Sequence, residues 1–289
     1  MNTTTNTNSK NLQVGFVGLG DQGAPMAIAI AEAGWPLRVW ARHQRSYEAL
    51  RDVSYERCES VEELGRRSDV VGLCLTDDAD VWQLLDDQRL LSALPPGGIV
   101  VNHGTGDPRA AIKLARHGEA NGHAILDAPV SGGRPAAERK ALTTFVGGAA
   151  QAAETCGAVF EAFSTTVAYM GQAGAGQMAK LMNNASLLAN LRNAEEIISI
   201  GAAAGLDPRE LVDVLQTGSG SSFALQFLAG EISPEMASHL PELWHKDIGH
   251  FSDAIRDRDL PPTVLEARAY EAVADFRPAL NTIAPDQRN

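Results

Sequence analysis

Residues 12–23 read Leu12-Gln-Val-Gly-Phe-Val-Gly18-Leu19-Gly20-Asp21-Gln22-Gly23, and a helix-forming run follows from Ala24 to Ala33. The apolar, β-rich start predicts a strand, and its glycines then form a G-x-G-x-x-G pattern between that strand and the helix. In this context the glycines permit a tight turn and close approach of a pyrophosphate, while the helix N-terminus offers amides and a favourable dipole. Gly18, Leu19, Gly20, Asp21, Gln22 and Gly23 are therefore candidate dinucleotide-binding residues, with the Asp21 side chain expected to turn to solvent, away from an anion. Read without a ligand, the same segment is a glycine-rich turn between ordinary elements.

A second strand, Leu37 to Ala41, ends about twenty residues after the glycines, where NAD-binding folds usually supply a carboxylate to the ribose hydroxyls. The chain here reads Trp40-Ala41-Arg42-His43-Gln44-Arg45, with no acid. A guanidinium binds phosphate through paired charge-assisted hydrogen bonds, so Arg42, helped by His43 or Arg45, favours NADP(H) over NAD(H). The plainer reading is a set of solvated surface bases. Alternation continues with strands over Asp69–Leu75, Gly98–Asn102 and His123–Leu126 and helices over Ala79–Leu85 and Pro108–Gly118. Buried parallel strands with helical crossovers form a doubly wound sheet, whose ligands lie beyond the carboxyl ends of the strands. Those ends are Leu75-Thr76, Asn102 to Thr105, and Asp127 to Gly133. The last is polar and glycine-rich, able to turn its amides toward a carboxylate, or else only a flexible strand exit. Strands over Ala141–Val146 and Thr165–Tyr169, around a helix from Ala149 to Phe160, extend the sheet, and the first domain ends near Gly171.

Gly174 to Ala204 reads as one helix, stopped by Gly205 and Asp207-Pro208. At about 1.5 Å per residue it spans roughly 45 Å, enough to cross a domain boundary. Between Glu161 and Arg192 the only charged residue is Lys180, set among Met178, Leu181 and Met182. Desolvation disfavours an isolated ammonium and lowers its pKa, which makes a proton acceptor near neutrality. Asn184, four residues on, shares its helix face. A lysine that snorkels its head to water is the bland alternative. Farther on, Asp207 is positioned to cap a helix over Pro208–Leu215, and a helix through Pro241–Phe251 puts Lys246 and His250 on one face, with Asp247 adjacent.

The expected organisation is thus a doubly wound α/β domain over residues 12–171 and a second domain over 172–289 that begins with the long helix, with residues 1–11 a disordered tail. The formal net charge of −12 over 289 residues argues against a nucleic-acid surface. No apolar run approaches about 20 residues, so no membrane span is expected. Cys58, Cys74 and Cys156 lack metal-like spacing and read as reduced packing residues of a cytoplasmic protein. His245 and His250 have no third ligand at metal spacing, and no metal is expected.

Together, Gly15 to Gly23, Asp127 to Gly133, Gly174-x-Gly176-x-x-x-Lys180-x-x-Asn183-Asn184 and Lys246-Asp247-Ile248 resemble the β-hydroxyacid dehydrogenase family in order and spacing. The resemblance implies an α/β Rossmann-like N-terminal domain plus an all-α C-terminal domain joined by a long interdomain helix, with Lys180 as catalytic lysine and Asn184 as its substrate-contacting partner. It implies that Ser131, Gly132 and Gly133 hold the substrate carboxylate, that Thr105 meets the nicotinamide end of the cofactor, and that Leu75 and Thr76 line its ribose. Lys246 would lie near substrate and cofactor, with Asp247 beside the substrate, in a homodimer or homotetramer. The chain departs from the family's pattern at Gln22, where Met is common; at Asn102 to Pro108, where Gly104 replaces a hydroxyl residue; and at Arg134 to Leu142.

The resemblance therefore implies an NADP-dependent oxidoreductase that interconverts a small hydroxy acid and its oxo acid or semialdehyde, with Lys180 as general acid and base. An imine reductase-like NADPH-dependent enzyme on the same architecture and a non-catalytic dinucleotide sensor are the alternatives. Lys180 disfavours the first, and the joint presence of Lys180, Asn184 and Ser131 disfavours the second.

Overall fold

The computed structural model describes residues 12–229 and 234–283, so the tail expected over residues 1–11 lies outside the described residues. The chain divides into two compact units, the first ending at Lys180 and the second beginning at Leu181.

The first unit contains β1 (Val14–Val17), β2 (Leu37–Trp40), β3 (Glu56–Arg57), β4 (Val70–Leu73), β5 (Ile99–Asn102), β6 (Ala124–Asp127), β7 (Val130–Ser131), β8 (Leu142–Gly147) and β9 (Ser164–Gly171). They form one sheet in the order β3-β2-β1-β4-β5-β6-β8-β7, with β9 against the other side of β8. The strands from β3 through β6 are parallel, and β8 runs antiparallel to β6 and β7. Its helices are α1 (Gly23–Glu32), α2 (Val61–Arg66), α3 (Asp78–Trp82), α4 (Leu90–Ala93), α5 (Pro108–Ala120), α6 (Gly133–Glu138), α7 (Ala150–Phe160) and the start of α8 (Ala175–Ala203).

Alternation along the strands feeds two cores. Phe16, Val39 and Val101 pack with Met26 and Ile30 of α1 and Phe160 of α7, while Val17, Leu73 and Val100 pack with Leu64 of α2 and Leu114 of α5. Successive strand residues point to opposite faces, so a helix layer on each side buries both. The strands read from sequence are all present, with ends that differ from expectation by one or two residues and β9 longer than expected. β3 and α2 are among the elements that the sequence reading passes over. β3 is two polar residues with no periodicity, whereas α2 carries a capping box: Ser60 Oγ accepts from Glu63 N, and the Glu63 carboxylate from Glu59 N.

The second unit takes the rest of α8 together with α9 (Pro208–Thr217), α10 (Phe223–Ala229), α11 (Pro234–Arg256) and α12 (Val264–Ile283), and no strand occurs among its described residues. Asp207 caps α9 as expected, accepting from Arg209 N and Glu210 N. Trp244 of α11 is buried against Phe227, and Ile248 and Phe251 of α11 and Ala269 of α12 are buried as well.

The start of α8 is fixed to the sheet by one carboxylate. Asp127, the last residue of β6, accepts from Gly174 N through Oδ1 and from Gln177 N through Oδ2, each at 2.8 Å. A Cβ at Gly176 would lie 2.4 Å from Phe145 O and 2.5 Å from Asp127 O, so only glycine lets the helix approach β6 and β8 this closely. Burial raises the Asp127 carboxyl from 3.8 to about 6, although the amides of Gly174, Gln177 and Gly176 pull the other way.

Because its folded pKa lies above its unfolded one, the contribution of Asp127 to folding is full below about pH 4 and is lost as pH rises through about 6. Asp127→Asn, whose NH2 would meet a backbone donor, is expected to cost about 1–3 kcal/mol near pH 5. In urea unfolding, the gap between wild type and variant should narrow from pH 4 to pH 7. A gap constant over that range would exclude titration of Asp127 in the folded protein.

Candidate active site

The parallel register brings the ends of β1, β2, β4 and β5 to one edge of the sheet, and with them Gly18 to Gly23, Arg42, His43, Leu75, Thr76 and Thr105. Gly18 has φ +94° and passes so close to Cys74 that a Cβ would lie 2.1 Å from its carbonyl oxygen. At Gly23 a Cβ would lie 1.8 Å from Gly18 O. Gly20 differs: its φ is not positive, and a Cβ there meets no protein atom within 4 Å. Neither backbone conformation nor packing asks for glycine at Gly20. Close approach of a pyrophosphate does, and the residues present fit a dinucleotide. Asp21 turns its side chain outward, 89% exposed and 3.6 Å from Arg134 of α6.

On the ribose side, Arg42 and Asp80 form an ion pair of 3.3 Å. Arg42 follows β2 and Asp80 lies in α3 after β4, so the pair spans the two strands that flank β1. His43 and Thr76 are exposed and Leu75 is half-buried. Thr105 sits half-buried in a turn fixed from three sides: Asn102 Oδ1 accepts from Gly104 N (3.0 Å), Asp78 Oδ2 from Asp107 N (3.1 Å), and Gln177 bonds both Gly104 and Gly106. His103 is buried among Phe16, Phe160 and Phe163, and burial pulls its pKa down to about 4 against its bond to Ala128 O.

The glycine-rich exit of β6 is no loose loop. Val130 and Ser131 pair with Thr144 and Thr143 as β7, and Gly132, at φ +125°, precedes α6, which Gly133 opens. Ser131 is half-buried on this short strand.

Lys180 is buried on α8, 8% exposed, one helical turn before Asn184. In the second unit, Asn184 Nδ2 donates to Asp247 Oδ2 at 2.8 Å and Asn184 Oδ1 accepts from Asn183 Nδ2 at 3.1 Å, which fixes the direction of the Asn184 amide. Asp247 is buried, so it is not the surface partner that a Lys-Asp sequence usually supplies, and Lys246 is half-buried. Trp244 is core, while Phe223 is 58% exposed. All three cysteines are free, and burial raises their thiols to about 11 or 12. Among the described residues no three His, Cys, Asp or Glu side chains gather as for a metal ion, and no helix is long and apolar enough to cross a membrane.

Asp80 and Gln177 went unnoticed in the sequence. Gln177 had a signal, a polar residue at i−3 from Lys180 on an otherwise apolar helix start. Asp80 had none, because its partner is 38 residues away.

Residues 13–171 match the family model described as the NAD binding domain of 6-phosphogluconate dehydrogenase, and residues 174–281 the one described as the NAD-binding of NADP-dependent 3-hydroxyisobutyrate dehydrogenase. The chain belongs to the β-hydroxyacid dehydrogenase family. An NAD-dependent L-serine dehydrogenase of Pseudomonas aeruginosa is 36% identical over 215 residues, 74% of this chain and 72% of that protein. The solved 3-hydroxyisobutyrate dehydrogenase of Mycobacterium tuberculosis with L-serine superposes with a TM-score of 0.79 at 26% identity, covering 95% of this chain and 94% of that one. Psf3 in complex with NADP+ and 2-OPP gives a TM-score of 0.78 at 25% identity, over 94% and 99% of the two chains. Family membership makes this chain an oxidoreductase that uses a nicotinamide dinucleotide on hydroxy acids.

The contrast among the glycines can be measured. Gly20→Ala is expected to leave the melting temperature within about 2 °C of wild type, in line with an unstrained surface change, while weakening NADPH binding tenfold or more by fluorescence titration. Gly18→Ala should lower the melting temperature markedly. Unaltered NADPH affinity in Gly20→Ala would separate that residue from the cofactor.

Proposed function

We propose that the chain oxidises a small 3-hydroxy acid, or reduces the matching semialdehyde or oxo acid, with NADP(H) as preferred cofactor. The observation that carries the reading is a buried lysine one helical turn from a buried asparagine whose amide is already oriented. Bound at the glycine turn, NADP(H) would supply the hydride acceptor or donor. Lys180 Nζ takes the substrate hydroxyl proton during oxidation and returns it during reduction, and as an ammonium it stabilises negative charge developing on the carbonyl oxygen. Asn184 orients that oxygen, and Asp247 holds the Asn184 amide in place. The amides and hydroxyl of Ser131 to Gly133 receive the substrate carboxylate, with Lys246 adding positive charge. L-Serine is itself a 3-hydroxy acid, and its occurrence with two relatives, in the name of one and the crystal of another, supports this substrate class.

The cofactor preference rests on this chain's own residues, because one relative is named NAD-dependent and another binds NADP+. Arg42, with no carboxylate at the end of β2, suits a 2′-phosphate, and Asp80 holds its guanidinium ready. Arg42→Ala should raise the KM for NADPH about tenfold while leaving that for NADH within twofold. Better turnover of wild type with NADH would reverse the assignment.

Lys180→Ala should lower kcat about 10²–10⁴-fold, the range of general acid–base catalysis, with NADPH affinity within a few-fold of wild type. The assay is NADPH consumption or formation with a panel of 3-hydroxy acids including L-serine, semialdehydes, oxo acids and cyclic imines. A Lys180→Ala enzyme that keeps most of its turnover would remove this lysine from the mechanism, and turnover confined to imines would replace the substrate class.

A further inference from the structure

We infer that Gln177 is a positioning residue: its side-chain amide locks the backbone of Thr105 and couples that turn to the helix that carries Lys180. The inference rests on the functional reading above and adds a residue to which that reading gives no part.

Gln177 is 1% exposed. Its Nε2 donates to Gly104 O at 2.7 Å, and its Oε1 accepts from Gly106 N at 2.9 Å. This is the one amide orientation in which each donor meets an acceptor. Gly104 O belongs to the peptide before Thr105 and Gly106 N to the peptide after it. A single planar amide therefore holds both peptide planes flanking Thr105, and neither its φ nor its ψ can change without breaking a buried hydrogen bond. The glycines on either side are required by the same packing. A Cβ at Gly104 would lie 2.4 Å from Leu75 O, and one at Gly106 would lie 2.3 Å from an Asp78 carboxylate oxygen. The glycine where the family's pattern has a hydroxyl residue is thus a consequence of how tightly this turn is drawn in.

The other end of the linkage is rigid. Gln177 N is bonded to Asp127 at the end of β6, so the backbone from which the side chain reaches is anchored independently of that side chain. Lys180 follows at i+3 on the same helix face. Thr105 and Lys180, one assigned to the nicotinamide end of the cofactor and the other to the reacting hydroxyl, are held in register by one residue between them. A displacement of about 1 Å in such a pair can cost roughly a hundredfold in rate.

Substituting the side chain spares the Asp127 anchor, so the two roles separate. Gln177→Met keeps the length and loses both bonds. It should lower kcat 10- to 100-fold with NADPH Kd within threefold, and the deuterium isotope effect with C4-deuterated NADPH should rise as hydride transfer becomes rate-limiting. Gln177→Glu provides a second readout. Its carboxylate cannot donate to Gly104 O, but its protonated acid can, while still accepting from Gly106 N. The titratable groups on the elements packed here are Asp127 on β6, which accepts from residue 177 N, Asp78 on α3, which accepts from Asp107 N of the turn, and Lys180 three residues on in α8. Its activity relative to wild type should therefore recover as pH falls from 8 toward 6. The inference is overturned if both variants keep wild-type kcat and isotope effect, or if kcat falls only in proportion to lost NADPH binding or lost folded protein. Wild type without turnover on the whole panel would defeat the functional reading and this inference together, whereas active wild type with unaffected variants would defeat the inference alone.

Discussion

The carboxylate of Asp127 stands where the sheet meets the long helix, and the first unit is assembled around it. It ends β6, receives the first amides of α8, and sits under Gly147 of β8, where a Cβ would lie 2.7 Å from both of its oxygens. A helix N-terminus presents unpaired amides and the positive end of its dipole, and a carboxylate beneath it satisfies both. The cost is a charge taken out of water, visible in the upward shift of its pKa. Gly176 and Gly147 follow from this contact, because the backbone must come close enough for the carboxylate to reach, whereas Gly174 is set by its φ of +87° and by Pro108 O, 2.8 Å from where a Cβ would lie.

The same contact gives the site its precision. Residues at the carboxyl edge of this parallel sheet are placed by strands that cannot slip by one residue without exchanging the side chains that fill its two cores. Lys180, by contrast, lies on a helix that would be free to slide or rotate if only apolar packing held it. Asp127 removes that freedom at the helix start, and Gln177 extends the constraint to the Thr105 turn. Chemistry that depends on a proton donor and a hydride path in fixed relation calls for such an anchor in place of a larger core.

Exposed and buried polar groups play different parts. Around the glycine turn, acids are paired outward: Asp21 with Arg134 and Asp80 with Arg42, all substantially exposed, so these pairs orient bases more than they add stability. The buried polar groups are specifically bonded, Gln177 with two peptides in the first unit and Asn184 with Asp247 in the second. A chain of net charge −12 can in this way present local positive charge and backbone amides to an anionic cofactor.

Local pattern was enough to read most of the first unit. Alternating apolar residues in Leu37–Trp40, continuous ones in Val70–Leu73, the glycine spacing at Gly18 to Gly23 and the Asp207 cap are encoded within a few residues, where steric and capping rules act directly. The family's motifs added Lys180, Asn184 and Ser131 as candidates. What the sequence could not give was any relation between distant residues: that Ser131 lies in a strand paired to Thr143, that Asp80 holds Arg42 across β1, that Asp247 turns the Asn184 amide, or that Gln177 grips a turn 71 and 73 residues earlier. Such pairings leave no local periodicity, because each depends on where whole strands and helices come to rest. The sequence by itself determined which elements form and which side chains can do chemistry, since propensity and spacing act along the chain. Only the tertiary structure decided which polar groups meet, because a hydrogen bond of 2.8 Å is set by the packing of elements far apart in sequence.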